Sequence, residues 1–305
     1  MSHDFMNTKE VAQYLGIHEK QVYALIRAGK LPATRITGKW LFPRQVLEEW
    51  IESQARSALQ EVREKTKEVS GALLAAGSND PALDMLLTFL GNRRNTFIFT
   101  STVGSVWGLK TLGEGKTEVA WCHIYDPQSA GYNTPAVVKP YLGDMPYVVI
   151  RLFTREIGLL LPKGNPVGIR GLPDVLNGDV RWVNRQVGSG IRIFFDNYVK
   201  KAGANPQDIP GYGEEVYTHL EVGLKILSGQ AQVGLATVAI GRMLELDAIP
   251  IMEEPFEMIV PKASFFTTGV QAIIETLNSH SFREKVALLG GYNFTEAGRI
   301  SYAEV

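Results

Sequence analysis

The sequence predicts an α/β protein in which a small helical head with a β-hairpin precedes a larger α/β domain. Residues 8–28 carry apolar side chains at three- and four-residue spacing, broken by one glycine turn, and a short alternating segment follows. From Ser70 onward, short apolar runs, Gly-rich turns and helical stretches alternate, which is the texture of an α/β domain. At 305 residues the chain suits two or three domains, and with 45% hydrophobic and 21% charged residues it can bury a core. Its net charge of −1 confines any nucleic-acid affinity to a local patch. Cys122 is the only cysteine, which excludes an intramolecular disulfide and a Cys-rich zinc site and fits a reducing compartment. No basic segment followed by an apolar run opens the chain, and no apolar run approaches the roughly 18 residues that span a bilayer. The chain therefore reads as cytoplasmic, with no membrane partner.

Thr8 is the expected cap of the first helix, with Val11, Ala12 and Leu15 as its apolar stripe. Gly16 supplies the left-handed stop, and Ile17 plugs the turn. A second helix runs from Glu19 to Ala28 with Val22, Leu25 and Ile26 facing inward, and Gly29 ends it. Two helices joined this closely form a helix-turn-helix, in which the second helix lies in the major groove of double-stranded DNA. Its outward residues are His18, Lys20, Gln21 and Tyr23, with Arg27 one turn further on. Residues 33–36 and 39–42 form a hairpin around Thr37-Gly38, where Arg35 and Lys39 would meet phosphates as a wing does. Pro43 opens a third helix at its first position, with Leu47, Trp50 and Ile51 buried. Residues 1–50 hold seven Lys/Arg against five Asp/Glu, so arrangement, not charge, carries the DNA-binding reading.

The run Met6–Gly16, followed by Val22-Tyr23, Gly29–Pro32 and Gly38–Phe42, resembles the excisionase/MerR-type winged helix-turn-helix family over residues 6–52. Behind this head, nothing breaks a helix between Pro43 and Val69. Ala55, Leu59, Val62, Thr66 and Val69 could form a short seam that pairs two protomers. The alternating charges of residues 63–68 equally suit a solvated linker helix over 53–69. A seam would make the protein a homodimer with two heads on successive half-sites.

In the α/β domain, strands are expected at 71–78, 96–100, 118–125, 147–152, 157–161 and 180–184. Three turns after strands carry small polar residues: Ser78, Ser101-Thr102 and Gly188-Ser189-Gly190. Ligands of open parallel sheets bind at such strand ends, and helix-start N–H groups beside hydroxyls suit an anion. Gly190 allows close backbone approach, and Arg192 could fork onto a two-oxygen anion.

The segments 101–105, 123–126, 131–133, 160–165, 184–192 and 231–236 resemble the type II periplasmic-binding-protein fold, in the subgroup that includes molybdate- and tungstate-binding proteins. That resemblance spans about residues 70–305. It implies a two-lobed periplasmic-binding-protein-like α/β domain, with about 70–155 and 250–305 in one lobe and about 156–249 in the other. It further implies ligand contacts at Ser78, Ser101, Thr102, Ser189 and Arg192, with the Thr218-His219-Glu221 helix start beside them.

Cys122 and His123 lack partners at metal-ligand spacing and read as core, so no metal or cofactor is expected. Ser101 and Ser105 lie in no nucleophile elbow. Glu214-Glu215, Glu253-Glu254 and Glu257 read as a solvated face, and His219 as core or cap. The sequence thus reads as a ligand-responsive transcriptional regulator that senses a small anion and is no enzyme. A DNA-binding protein whose second domain senses an organic ligand or serves only assembly, and an α/β enzyme with a docking head, are the alternatives.

Overall fold

The computed structural model describes residues 5–36, 38–51, 53, 72–94, 96–177 and 180–304, and the chain divides into two units, 1–70 and 71–305. In the first unit, helices Thr8–Leu15 and Glu19–Arg27 meet across the Gly16 turn, where φ is +66°. The strand Lys39–Pro43 pairs antiparallel with Thr34–Ile36 to form the wing. It pairs on its other side with Phe5–Asn7, an N-terminal strand that the sequence pattern does not reveal. Val11, Val22, Phe42 and Leu47 are wholly or almost wholly buried at the centre of this unit, with Leu25, Ile26, Trp40 and Trp50 packed around them.

The first helix starts one residue earlier than expected. Asn7, not Thr8, is its cap: Asn7 Oδ1 accepts from the N–H groups of Lys9 and Glu10, each at 3.0 Å. Glu10 Oε2 in turn accepts from Asn7 N–H at 2.8 Å, completing a reciprocal capping box. Pro43 ends the wing strand instead of opening the third helix, which occupies residues 44–51. The linker helix expected over 53–69, with its seam, lies outside the described residues apart from position 53.

The second unit is built on one continuous sheet. At one end, Val119–Cys122, Leu73–Gly77 and Ile98–Thr102 lie parallel; at the other, Val233–Thr237, Trp182–Arg185 and Glu215–Val216 lie parallel. Two antiparallel strands of 15 residues, Tyr147–Leu161 and Asp247–Pro261, join the two ends. Phe153 and Phe256 belong to a core with Leu73, Trp121 and Phe282. Ile157 and Met252 belong to a different core with Trp182, Phe195 and Leu235. Each long strand therefore leaves one lobe and enters the other within three or four residues, and register shifts at Pro250/Met252 and Phe256/Glu257 bracket the crossing.

Two strands were expected where one is found. The polar run Thr154-Arg155-Glu156 reads as a break between apolar strands, but the backbone continues through it and Arg155 turns wholly inward. Likewise the strand expected at 96–100 occupies 98–102, so Ser101 and Thr102 end a strand and do not form a turn. Among the described residues no helix is long and apolar enough to cross a membrane.

Candidate ligand site and DNA-facing surface

On the head, His18, Lys20, Gln21, Tyr23, Arg27, Arg35 and Lys39 are all exposed. The inward stripe explains this: burying Val22 turns the positions between it and its helical neighbours to solvent. Gln21 Oε1 accepts from His18 N–H at 2.9 Å and so stiffens the start of the second helix. Arg35 Nε donates to Gly38 O at 3.2 Å, and its guanidinium lies 5.7 Å from the centre of the Trp40 ring, which holds it at the wing turn. Among the described residues Lys20, Arg27, Arg35 and Lys39 form no ion pair, so their charges face outward uncompensated.

In the second unit, the carboxyl ends of the two sets of parallel strands face each other. The first lobe contributes Ser78-Asn79-Asp80, Gly104-Ser105 and His123; the second contributes Arg185-Gln186, Thr218-His219 and Thr237. The lobes touch here. Val106 N–H donates to Gly188 O at 3.2 Å across the cleft. A Cβ on Gly190 would lie 2.3 Å from His123 O and 2.4 Å from His123 Nδ1, so only glycine permits this approach.

Beneath the cleft, at the strand crossing, Arg155 is fully buried. Its Nη1 donates to Asp80 Oδ2 at 2.7 Å, and its Nε and Nη2 donate to Glu254 Oε1 at 2.9 and 2.5 Å. Burial works against the Arg155 charge, but Glu254 and Asp80 outweigh it and hold the pKa above the usual arginine value. Glu254 also lies 3.2 Å from His123 Nδ1; burial favours its neutral form, yet His123 and Arg155 prevail and keep it ionised. Glu254 and Glu257 are therefore no solvated face: both are about 1% exposed, and Glu257 accepts from Arg151 Nε at 3.0 Å. The cross-strand pairing of Glu254 with Arg155 places each opposite the charge that neutralises it.

A second buried guanidinium lacks such partners. Arg185 is 2% exposed; its Nε donates to Gln186 Oε1 at 3.2 Å and its Nη2 to Tyr217 O at 2.8 Å. No carboxylate among the described residues pairs with it. Burial, and then repulsion from Arg155, push its pKa down to about 9. Around it, the buried atoms Gln186 Nε2, His219 Nε2 and Thr237 Oγ1 make no hydrogen bond. His219 Nδ1 accepts from Thr237 N–H at 3.3 Å, which places the proton of the neutral ring on Nε2.

The residues singled out from sequence are distributed unevenly about this cleft. Ser78 is buried with its hydroxyl 2.9 Å from that of Ser105, and Ser105 Oγ accepts from His123 N–H. Ser189 and Gly190 lie against the opposite lobe, and Ser189 Oγ caps its helix by accepting from Arg192 N–H at 3.2 Å. Ser101 and Thr102 are exposed on the edge strand. The Thr218 hydroxyl caps its helix by accepting from Glu221 N–H at 3.1 Å and donates to Glu221 Oε1 at 3.0 Å. The Arg192 guanidinium is engaged with Asp196 at 2.7 Å, Glu215 at 3.0 Å and Arg185 O at 3.2 Å, so it braces the strand end instead of offering a free fork. Arg185 stood in the same motif, seven residues earlier. Only the strand's true end, at Arg185 and not Asn184, brings it to the cleft. Among the described residues, no group of His, Cys, Asp and Glu could hold a metal ion.

A family model described as a PBP superfamily domain matches residues 88–278, and one described as a helix-turn-helix domain matches residues 5–55. The chain belongs to the PBP superfamily. This PBP superfamily member is 30% identical over 299 residues to YvgK of Bacillus subtilis (strain 168), covering 96% of both chains. Among solved structures, it is similar to a putative phosphate ABC transporter substrate-binding protein with bound phosphate from Clostridium perfringens. That match has a TM-score of 0.55 and 13% identity, and covers 73% of this chain and 98% of the other. It is also similar to the tungstate ABC transporter structure from Geobacter sulfurreducens (TM-score 0.51, 13% identity, 71% and 97% covered). A third similar structure is Corynebacterium glutamicum OxyR (TM-score 0.52, 14% identity, 93% and 90% covered). At these identities the likeness shows the fold alone: a helix-turn-helix domain followed by a two-lobed PBP-like domain.

Two outcomes follow from this geometry. Gly190→Ala forces a methyl into His123, so the lobes should fail to close fully; small-angle scattering of this variant should show a larger radius of gyration, and an unchanged one would contradict the contact. His219 is held well below its ordinary 6.5, first by burial and then by Arg185, Arg155 and His123, and burial likewise lowers His123. The unfolded chain thus binds more protons below pH 6.5, so stability is complete above that value and declines as pH falls through it. The slope should reach about 1.4 kcal/mol per pH unit for each histidine. Urea unfolding across this range should show a shallower slope for His219→Gln than for the parent.

Proposed function

We propose that this chain is a ligand-responsive transcription regulator whose head binds double-stranded DNA and whose two lobes close on a small oxyanion. The ligand half rests on one observation, the buried Arg185 guanidinium with no carboxylate to balance it at the carboxyl ends of the second lobe's strands. A buried charge of this kind is costly unless paired, and an anion entering the cleft supplies the missing partner. The ligand set in this reading is Arg185, Gln186, His219 and Thr237 from one lobe, with Ser78, Ser189 and Gly190 beside them. Molybdate and tungstate are the leading candidates, in keeping with the tungstate and phosphate transport proteins that share the fold. The protein acts as a homodimer: an excess of two positive charges over residues 1–50 makes one head a weak binder, and two heads on one duplex add their contacts. Ligand regulates DNA binding to the extent that closed and open lobes favour different placements of the two heads.

Thermal unfolding should shift upward with molybdate or tungstate, and Arg185→Met should abolish the shift while keeping the folded circular dichroism spectrum. An anion-induced shift of the same size in Arg185→Met would remove the basis for this site. Fluorescence anisotropy with promoter DNA should give an affinity that falls with rising salt, because phosphate contacts release counterions. Lys20→Ala and Arg27→Ala should each weaken binding and reduce the salt dependence; unchanged affinity would place the DNA elsewhere.

A further inference from the structure

We propose that the first lobe carries a second ligand site, sharing no residue with the cleft, in the groove between the helices Pro81–Arg94 and His280–Ala287, and that this site takes a small zwitterion with an apolar body, of the amino-acid class.

The groove encloses about 290 Å³. Its floor is apolar and fixed. Phe282 is wholly buried and Phe89 is 9% exposed, and their rings meet edge to face with centres 5.8 Å apart. Met85 packs beside them against the core of the lobe. The spacing explains the shape: Met85 and Phe89 lie one turn apart on the first helix, so both face the seam with the second. One position before each of Met85 and Phe89, and one turn further on, Asp84, Thr88 and Asn92 form an exposed polar row along the same wall. Lys285 stands on the opposite wall with its Nζ 5.8 Å from the centre of the Phe89 ring.

Opposite charges thus flank one aromatic floor without meeting each other. Among the described residues neither the Asp84 carboxylate nor the Lys285 ammonium forms an ion pair. Burial at the groove, and then repulsion from Asp80, push the Asp84 carboxyl up to about 6, the reverse of what a bound cation does. Thr88 Oγ1 donates to Asp84 O at 2.9 Å, which leaves the hydroxyl oxygen as an acceptor beside the carboxylate. An amphiphile with a single charge answers one wall and sets its apolar body against the charge on the other. A zwitterion answers both, with its ammonium on Asp84 and Thr88, its carboxylate on Lys285, and an apolar side chain on Phe89 and Phe282. An aromatic side chain gains further from the two rings.

Isothermal titration calorimetry with the full chain at neutral pH, using L-phenylalanine as the probe, should show saturable binding. Phenethylamine, which lacks the carboxylate, and 3-phenylpropionate, which lacks the ammonium, should each bind about tenfold more weakly or worse. Asp84→Asn and Lys285→Met change exposed side chains and keep the fold; each should weaken phenylalanine binding by about tenfold. Asp84→Asn should also erase the advantage of phenylalanine over 3-phenylpropionate, and Lys285→Met its advantage over phenethylamine. No binding of phenylalanine or L-leucine, or single-charge analogues that bind as well as phenylalanine, would overturn the proposal. Binding that survives both groove substitutions but is lost in Arg185→Met would place the amino acid in the cleft and overturn it equally.

Discussion

Where the two long strands pass from one lobe to the other, a single guanidinium holds four segments together. Arg155 joins its own strand to Glu254 on the neighbouring one and to Asp80 at the end of a first-lobe strand, while Tyr292 reaches the same Asp80 from the C-terminal region. The Phe256 ring lies against its other face, 4.7 Å from the guanidinium carbon. Removing the guanidinium would leave two carboxylates stranded in a dry interior, at about 3–5 kcal/mol. Apolar side chains could fill the same space, but they would not pin the register at the place where each strand changes lobes. The crossing and the strand ends above it are thereby fixed relative to each other.

The contrast between Arg155 and Arg185 defines the chemistry of the cleft. Both are buried in one region, and each raises the electrostatic cost of the other. Arg155 has two carboxylates, and they hold it in its charged form. Arg185 has a carboxamide oxygen and a main-chain carbonyl, which orient it without neutralising it. Arg192 stabilises the arrangement from behind by donating to the carbonyl of Arg185 while its own charge is absorbed by Asp196 and Glu215. Thus three arginines in one lobe-spanning region differ in their surroundings: one ties the crossing, one braces a strand, and one is buried with no carboxylate paired to it among the described residues.

Close packing across the cleft depends on residues without side chains. Gly104 lies against Gln186, Gly188 and Ser189, and Gly190 lies against His123, so the two helix starts approach with their backbone N–H groups near the donors of the second lobe. Capping hydroxyls at Ser189 and Thr218 accept from N–H groups of their own helices, an engagement that the residue types in the turn do not by themselves reveal.

The head was legible almost residue by residue, because its landmarks are local: a glycine stop, two apolar stripes at helical spacing and a hairpin turn. Its N-terminal strand was not, since three residues from Phe5 to Asn7 show no period and become a strand only by pairing with Lys39–Pro43. The α/β class was likewise readable from alternation and turn composition. What the sequence could not decide was which polar residues are buried. Glu254 and Glu257 look like solvent-facing acids, and Arg192 looks freer than Arg185, because charge alone carries no sign of its partners. Those partners lie about a hundred residues away in Arg155 and Glu254, or across a strand end one residue longer than its apolar pattern suggests. Local period determines which elements form, whereas the dielectric around a charge is set by everything packed against it, and only the tertiary structure assembles that.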